Sequence, residues 1–177
     1  KFGLDTLDII QYNPDRLTEV EGIGPKKAEK ISEAFQEQKE LRDIMLFLEQ
    51  YGIGPTYAVR IYKTYGANTI SEIKENPYKL ADDIFGIGFK MADKVALSMG
   101  IPKTSEYRIA SGTRYVLNQF HGNGHSYVPQ EELVRVSAAI LGVEEVQVED
   151  ILVKLFIDKK IVVDNIGAVK AVYSVPF

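Results

Sequence analysis

Apolar residues recur at helical spacing through three stretches that share one layout: "PKKAEKISEAF", "PTYAVRIYKTY" and "FKMADKVALSM". Each follows a Gly-Ile-Gly triplet, and the stretches before the triplets ("DRLTEV", "IMLFLEQY" and "PYKLADDIF") also read as helical. The register is common to all three: Gly22, Gly52 and Gly86, then Gly24, Gly54 and Gly88, then Ala28, Ala58 and Ala92, then Ile31, Ile61 and Val95. A short glycine-containing turn between two helices predicts an αα-hairpin. The glycines permit backbone angles that a side chain forbids and leave the amides unobstructed. The Ile between them staples the helices, the Ala allows close packing, and Ile31, Ile61 and Val95 continue the buried face.

A second repeat runs at an offset of 63 residues. It pairs Gly3 with Gly66, Thr6 with Thr69, Asn13-Pro14 with Asn76-Pro77, and Leu17 with Leu80, with one residue inserted before the last glycine pair. By this symmetry "KFG" reads as the tail of an earlier hairpin, as "TYG" ends the second. The expected organisation is therefore the second half of a truncated double hairpin over 1–45, a complete double hairpin over 46–104, and a different domain over 105–177. The link "EQKELRDIMLFLEQY" matches neither repeat.

After "GIPKTSEYR" the pattern changes. A helix is expected over Tyr107–Phe120, a turn at "HGNGHSYV" leads into a short extended segment, and Pro129 suits the first position of a helix that stops at Gly142. "EVQVEDILVKLFIDKK" predicts a third helix, and "IVVD", "NIG" and "AVYSV" predict strand, turn and strand. The fold class is mainly α: tandem hairpins, then a winged-helix-like α/β domain with a C-terminal β-hairpin. Its third helix carries Glu149, Asp150 and Asp158, with Lys154, Lys159 and Lys160 mostly at the end. Those carboxylates would repel phosphates, which favours a structural or protein-contact role for this domain over DNA reading.

Composition narrows the chemistry. The 177 residues, 45% of them hydrophobic, suffice for one to three small domains, and no apolar run approaches the roughly 18 residues of a membrane span. The chain holds no cysteine, which excludes disulfides and thiolate metal sites and makes a cytoplasmic setting the simple expectation. A formal net charge of -4 gives no global attraction for nucleic acid, so any such binding must come from local clusters. The start at Lys1 suggests a piece of something longer. His121 and His125 lack the further ligands that a metal shell needs. No phosphate-binding P-loop sequence is present.

The three turns resemble the helix-hairpin-helix motif, a Gly-hydrophobic-Gly turn with a small residue four positions on. That family binds the DNA backbone without reading sequence. A turn that presents free amides at a helix N-terminus suits a phosphate oxygen, and basic groups one helical turn later reach the same or the next phosphate. The candidate contacts are Gly22, Ile23, Gly24, Lys26, Lys27 and Lys30 in the first hairpin. The second supplies Gly52, Ile53, Gly54, Thr56 and Arg60, with Lys63 beyond them, and the third Gly86, Ile87, Gly88, Lys90 and Lys94. Phe89 stands where the other two hairpins have proline. It could stack on a base, although an aromatic there is more often buried, and Tyr57 and Tyr62 read as packing. DNA glycosylases also carry a Gly-x-Gly-x-Lys hairpin, which Lys26 and Lys90 fit. The aspartate that family needs downstream is missing after Lys90, where only Glu106 stands. Asp43 follows Lys26, but too little chain precedes it to build a base pocket.

Taken in order, the hairpins, "NPYKLADDIFGIGFKMADKVALSMGI", "GHSYVPQEELV" and "AVYSVPF" resemble the N-terminal region of bacterial RecD-like ATP-dependent DNA helicases, relatives of the exodeoxyribonuclease V alpha subunit. The resemblance implies a non-catalytic DNA-holding region of a superfamily 1 motor that moves 5′ to 3′ in DNA repair or recombination. ATP and Mg would belong to that motor, in the same longer chain, and no cofactor to this piece. Single-stranded or forked DNA is the implied partner, with no membrane. The alternative is a protein-interaction scaffold that positions the motor or a partner without binding DNA. An exposed apolar patch on the last domain, together with hairpin lysines held in ion pairs, would mark that alternative.

Overall fold

The computed structural model describes residues 1–175; Pro176 and Phe177, the end of the "AVYSVPF" stretch and of the expected 105–177 domain, lie outside the described residues. The chain divides into two compact units, Lys1–Ile70 and Ser71–Phe177. These units follow compactness, whereas the expected boundaries at 45/46 and 104/105 follow sequence kinship, and the two criteria cut the chain differently.

In the first unit a 3₁₀ turn (Gly3–Asp5) leads into α1 (Thr6–Tyr12), and a second (Pro14–Glu19) precedes the first Gly-Ile-Gly. Next come α2 (Pro25–Glu49), α3 (Pro55–Tyr65) and a 3₁₀ turn at Gly66–Asn68. The helix after the first turn and the helix before the second are therefore one rod. The sequence reading treated them as separate, but residues 36–43 ("QEQKELRD") contain neither Gly nor Pro and consist mainly of good helix formers. Only Ala28, Ile44 and Leu48 of α2 are buried. Towards its start, Ala28 packs with Ile9 and Leu17, flanked by Phe2, Ile10, Ile23 and Ile31. Towards its end, α3 lies alongside, with the Tyr62 hydroxyl donating to Glu40 Oε2 at 3.2 Å.

The offset repeat has a structural counterpart. α4 (Thr69–Glu75) begins as α1 does, after a glycine with positive φ (Gly3 +57°, Gly66 +60°). In both places the threonine hydroxyl donates to the glycine carbonyl at 2.7 Å. Seven helical residues and Asn-Pro follow in each copy.

The second unit continues through α5 (Lys79–Asp83), α6 (Phe89–Ser98), α7 (Glu106–Gly122), β1 (Val128–Pro129), α8 (Gln130–Leu141), α9 (Glu145–Ile157), β2 (Ile161–Ile166) and β3 (Val169–Ser174). The sheet is antiparallel in the order β1-β3-β2, with Val128 opposite Val172 and Ile166 opposite Val169 across a two-residue turn. Three helices closed by a β-hairpin match the winged-helix-like outline. Pro129 departs from expectation: it ends β1, opposite Ala171, and caps α8 instead of opening it. Gly142, at φ +65°, ends α8 where a side chain would be strained. The Glu144 amide donates to Gln147 Oε1 in a capping box that starts α9. The core joins Val116, Leu117, Leu133, Leu141, Val148, Leu152 and Val172, all buried.

The third hairpin is bound to this helical core. Arg108 of α7, 5% exposed, donates through Nε and Nη2 to the two Asp93 carboxylate oxygens of α6 at 2.9 and 3.3 Å. Its Nη1 donates to the carbonyls of Leu141 (2.7 Å) and Lys103 (3.0 Å). The Tyr78 hydroxyl donates to Asp93 Oδ1 at 2.7 Å, so every polar atom of this cluster has a named partner. Gly112 permits the close approach: a Cβ there would lie 2.4 Å from Leu141 Cδ2 and 3.1 Å from Phe89 Cζ.

Candidate nucleic-acid interface

The three turns are built alike. The first glycine is left-handed in each, with Gly22, Gly52 and Gly86 at φ +83°, +79° and +93°. The second caps the following helix in extended conformation, with Gly24, Gly54 and Gly88 at φ -87°, -75° and -97°. Ile53 and Ile87 are buried between the helices, while Ile23 is half-buried. Ala28, Ala58 and Ala92 are buried one turn into the second helices, as are Ile61 and Val95. Ile31 is half-buried, so the first hairpin is the least enclosed. Pro25 and Pro55 contribute no N–H and the Lys27 amide already donates to the Gly24 carbonyl at 3.1 Å, which leaves the Lys26, Thr56 and Lys90 amides at the positive ends of the helix dipoles.

The second glycine is the informative one. Its extended backbone is open to any residue, and a Cβ added at Gly24, Gly54 or Gly88 would meet nothing within 4 Å. Neither conformation nor packing inside the chain calls for glycine at these three places.

The candidate side chains follow these turns along the second helices, Lys63 only in the last turn of α3. Lys26, Lys27, Lys30, Thr56, Arg60, Lys63, Lys90 and Lys94 are all exposed. Lys27 Nζ reaches back to the Gly22 carbonyl at 3.4 Å, and the Arg60 guanidinium lies 5.8 Å from the centre of the Tyr57 ring. Among the described residues, the side chains of Lys26, Lys30, Lys63, Lys90 and Lys94 make no hydrogen bond or ion pair. Lys1 and Arg16 are instead committed to Glu19, at 3.5 and 3.0 Å. The Arg16 hydrogen bond, aided by both positive charges, holds the Glu19 carboxyl below the usual carboxylate range.

The first and second hairpins share the first unit, one turn at each end of α2, and the third belongs to the second unit. Phe89 does not face a ligand. It is 7% exposed and stacked between Tyr78 (6.0 Å) and Tyr115 (5.3 Å), because its place at the start of α6 points into the contact with α7. The sequence reading missed Phe85, 92% exposed and immediately before Gly86. The one available signal was an aromatic in the last place before a turn glycine, where the first hairpin has Glu21 and the second the half-buried Tyr51.

His121 proves to be a clip. Its Nε2 accepts the Ser174 amide proton at 3.1 Å, which leaves Nδ1 to donate to the His125 carbonyl at 2.9 Å. Both ring nitrogens thus tie α7 to the turn after it and to β3. Along α9, Val146, Val153 and Ile157 form an exposed apolar stripe beside Glu149 and Asp150. No helix among the described residues is long and apolar enough to cross a membrane.

Residues 37–127 match the profile of the ATP-dependent RecD2 DNA helicase HHH domain. Residues 4–37 match that of a SAM-like helix-hairpin-helix tandem. The ATP-dependent RecD2 DNA helicase of Deinococcus radiodurans is 27% identical over 131 residues, covering 73% of this chain and 18% of that relative. The chain thus spans about a fifth of the length of the curated relative it matches.

Proposed function

Because the chain belongs to the family of the ATP-dependent RecD2 DNA helicase HHH domain, we propose that its hairpin turns hold the DNA backbone without reading sequence. The observation that carries this reading is the second glycine of each turn, which the fold itself does not require. A phosphate oxygen fits the open space, meets the Lys26, Thr56 or Lys90 amide at the start of the next helix, and brings its charge within reach of Lys26, Lys30, Lys90 or Lys94. Exposed lysines without ion pairs favour DNA over the scaffold alternative. The chain itself carries no chemical step. It serves as the non-catalytic holding region of a superfamily 1 helicase that moves 5′ to 3′ in DNA repair or recombination, with ATP and Mg bound by the motor in the longer protein.

The test is a Gly24→Ala/Gly54→Ala/Gly88→Ala variant of the chain, compared with a Lys26/Lys27/Lys30→Ala variant by fluorescence anisotropy on labelled DNA. The alanines should leave the melting temperature unchanged or slightly raised, since Ala at a compatible backbone stabilises by about 0.4–1 kcal/mol. DNA affinity should nevertheless fall in both variants. The wild-type affinity should decline with salt, by a log–log slope of about -0.9 per neutralised phosphate on duplex. Unaltered affinity in the alanine variant, or binding indifferent to salt, rejects the reading.

A second reading concerns the last domain alone. The exposed stripe of Val146, Val153 and Ile157 on an acidic helix favours protein contact there over DNA.

A further inference from the structure

The third hairpin combines an exposed aromatic with a cavity at its turn. Its turn opens onto a groove of about 530 Å³, walled on one side by the segment Ala81–Phe89 and on the other by Ser111, Arg114, Tyr115 and Asn118 of α7. The α7 residues are spaced three, four and seven apart, so they line one helix face. The volume falls in the range of small-ligand sites. At its lip stands Phe85, with 92% of its surface in water.

A single exposed apolar side chain is ordinary. This one adjoins a turn whose second glycine, Gly88, leaves room for an external group, and the groove beside it offers hydrogen-bonding side chains. Asp82 and Asp83 both line the groove, and Arg114 Nη1, 3.1 Å from Asp82 Oδ1, offsets the first of these charges. An aromatic face, polar groups and a backbone-binding turn side by side suit a nucleotide. The phenyl ring takes the base, the turn takes the phosphate, and Ser111 and Asn118 line the same groove with hydrogen-bonding groups. In a duplex both faces of each base are already stacked, so only an unpaired base has a face to offer.

We infer that this groove holds one unpaired nucleotide, its base stacked on Phe85, and that the third hairpin thereby favours single-stranded over duplex DNA. The inference rests on the backbone-binding reading above. Base–aromatic stacking is sequence-tolerant, so it adds strand preference without adding sequence preference.

The test uses the whole chain with Phe85→Ala and Phe85→Trp, a labelled oligothymidine and a blunt duplex. Phe85→Ala should weaken single-strand binding roughly five- to a hundredfold, the range of one lost stack, and leave duplex binding unchanged. Phe85→Trp should retain single-strand affinity, and 5-iodouracil in the strand should photo-crosslink to residue 85. Equal loss on both DNA forms, or no loss on either, overturns the stacking site. If the glycine variant still loses affinity in that case, the backbone reading survives alone. Absence of wild-type binding to both forms refutes the two together.

Discussion

Asp93→Ala removes the acceptor on which two buried donors depend. Arg108 would keep its bonds to the Leu141 and Lys103 carbonyls but lose its counter-charge while only 5% exposed. Breaking a buried pair from one side typically costs about 3–5 kcal/mol, because the remaining charge cannot reach water. Tyr78 loses its acceptor as well, and that smaller penalty overlaps with the first. The Asp93 side chain retains 15% exposure, which lets some water reach the site and points to the lower end, about 3 kcal/mol. For a unit of about a hundred residues, each kcal/mol lowers the melting temperature by about 4–8 °C. A fall of about 12–24 °C is therefore expected by circular dichroism, with a matching drop in the urea midpoint. An Asp93→Leu/Arg108→Met double variant should be markedly more stable than Asp93→Ala, since it leaves no buried charge behind. A loss below about 1 kcal/mol for Asp93→Ala, or a double variant no better than the single, would refute the account of a desolvated pair.

Two further outcomes follow from the same region. Gly112→Ala should destabilise by about 1–2 kcal/mol in urea unfolding, although Ala is the better helix former, because the new methyl meets buried Leu141 and Phe89. A stabilised variant would show that this helix crossing is looser than drawn. Burial, and next the bond to Asp93, raise the Tyr78 hydroxyl well above the usual tyrosine value. A raised folded value means that its stabilising contribution is complete below the unfolded pKa of about 10 and is lost as pH climbs beyond it. Between about pH 8 and about pH 11 the wild type should lose more stability than Tyr78→Phe in parallel denaturation, and equal losses would contradict the assignment.

Much of this was legible in the sequence because the signals are local. A glycine pair with Ala four residues on defines a hairpin wherever it occurs, and the Thr6/Thr69 match predicted two turns that proved alike down to the hydroxyl bond. The strand, turn and strand of the last domain were equally plain. The fusion of two helices into α2 was not, because attention to turns overlooks a segment whose signal is the absence of any breaker. Phe89 and Phe85 show the other limit. The two aromatics stand four residues apart, and only the packing of α6 against α7 decides which is sandwiched between tyrosines and which stands in water. The Asp93–Arg108 pair was also out of reach: each residue reads as an ordinary surface charge until the helices cross.

The unbroken α2 has a consequence for how a strand would be met. At 1.5 Å per residue its 25 residues span about 37 Å, close to the roughly 34–36 Å pitch of B-form duplex. On the backbone-holding reading proposed above, the turns at its two ends are spaced by about one winding of a duplex laid along the rod. Its length sets that phase. Two residues added at mid-rod would swing the far turn by about 200° and leave it facing away. On that same reading, the rod itself, as much as the turns it carries, would set the spacing at which the two turns act.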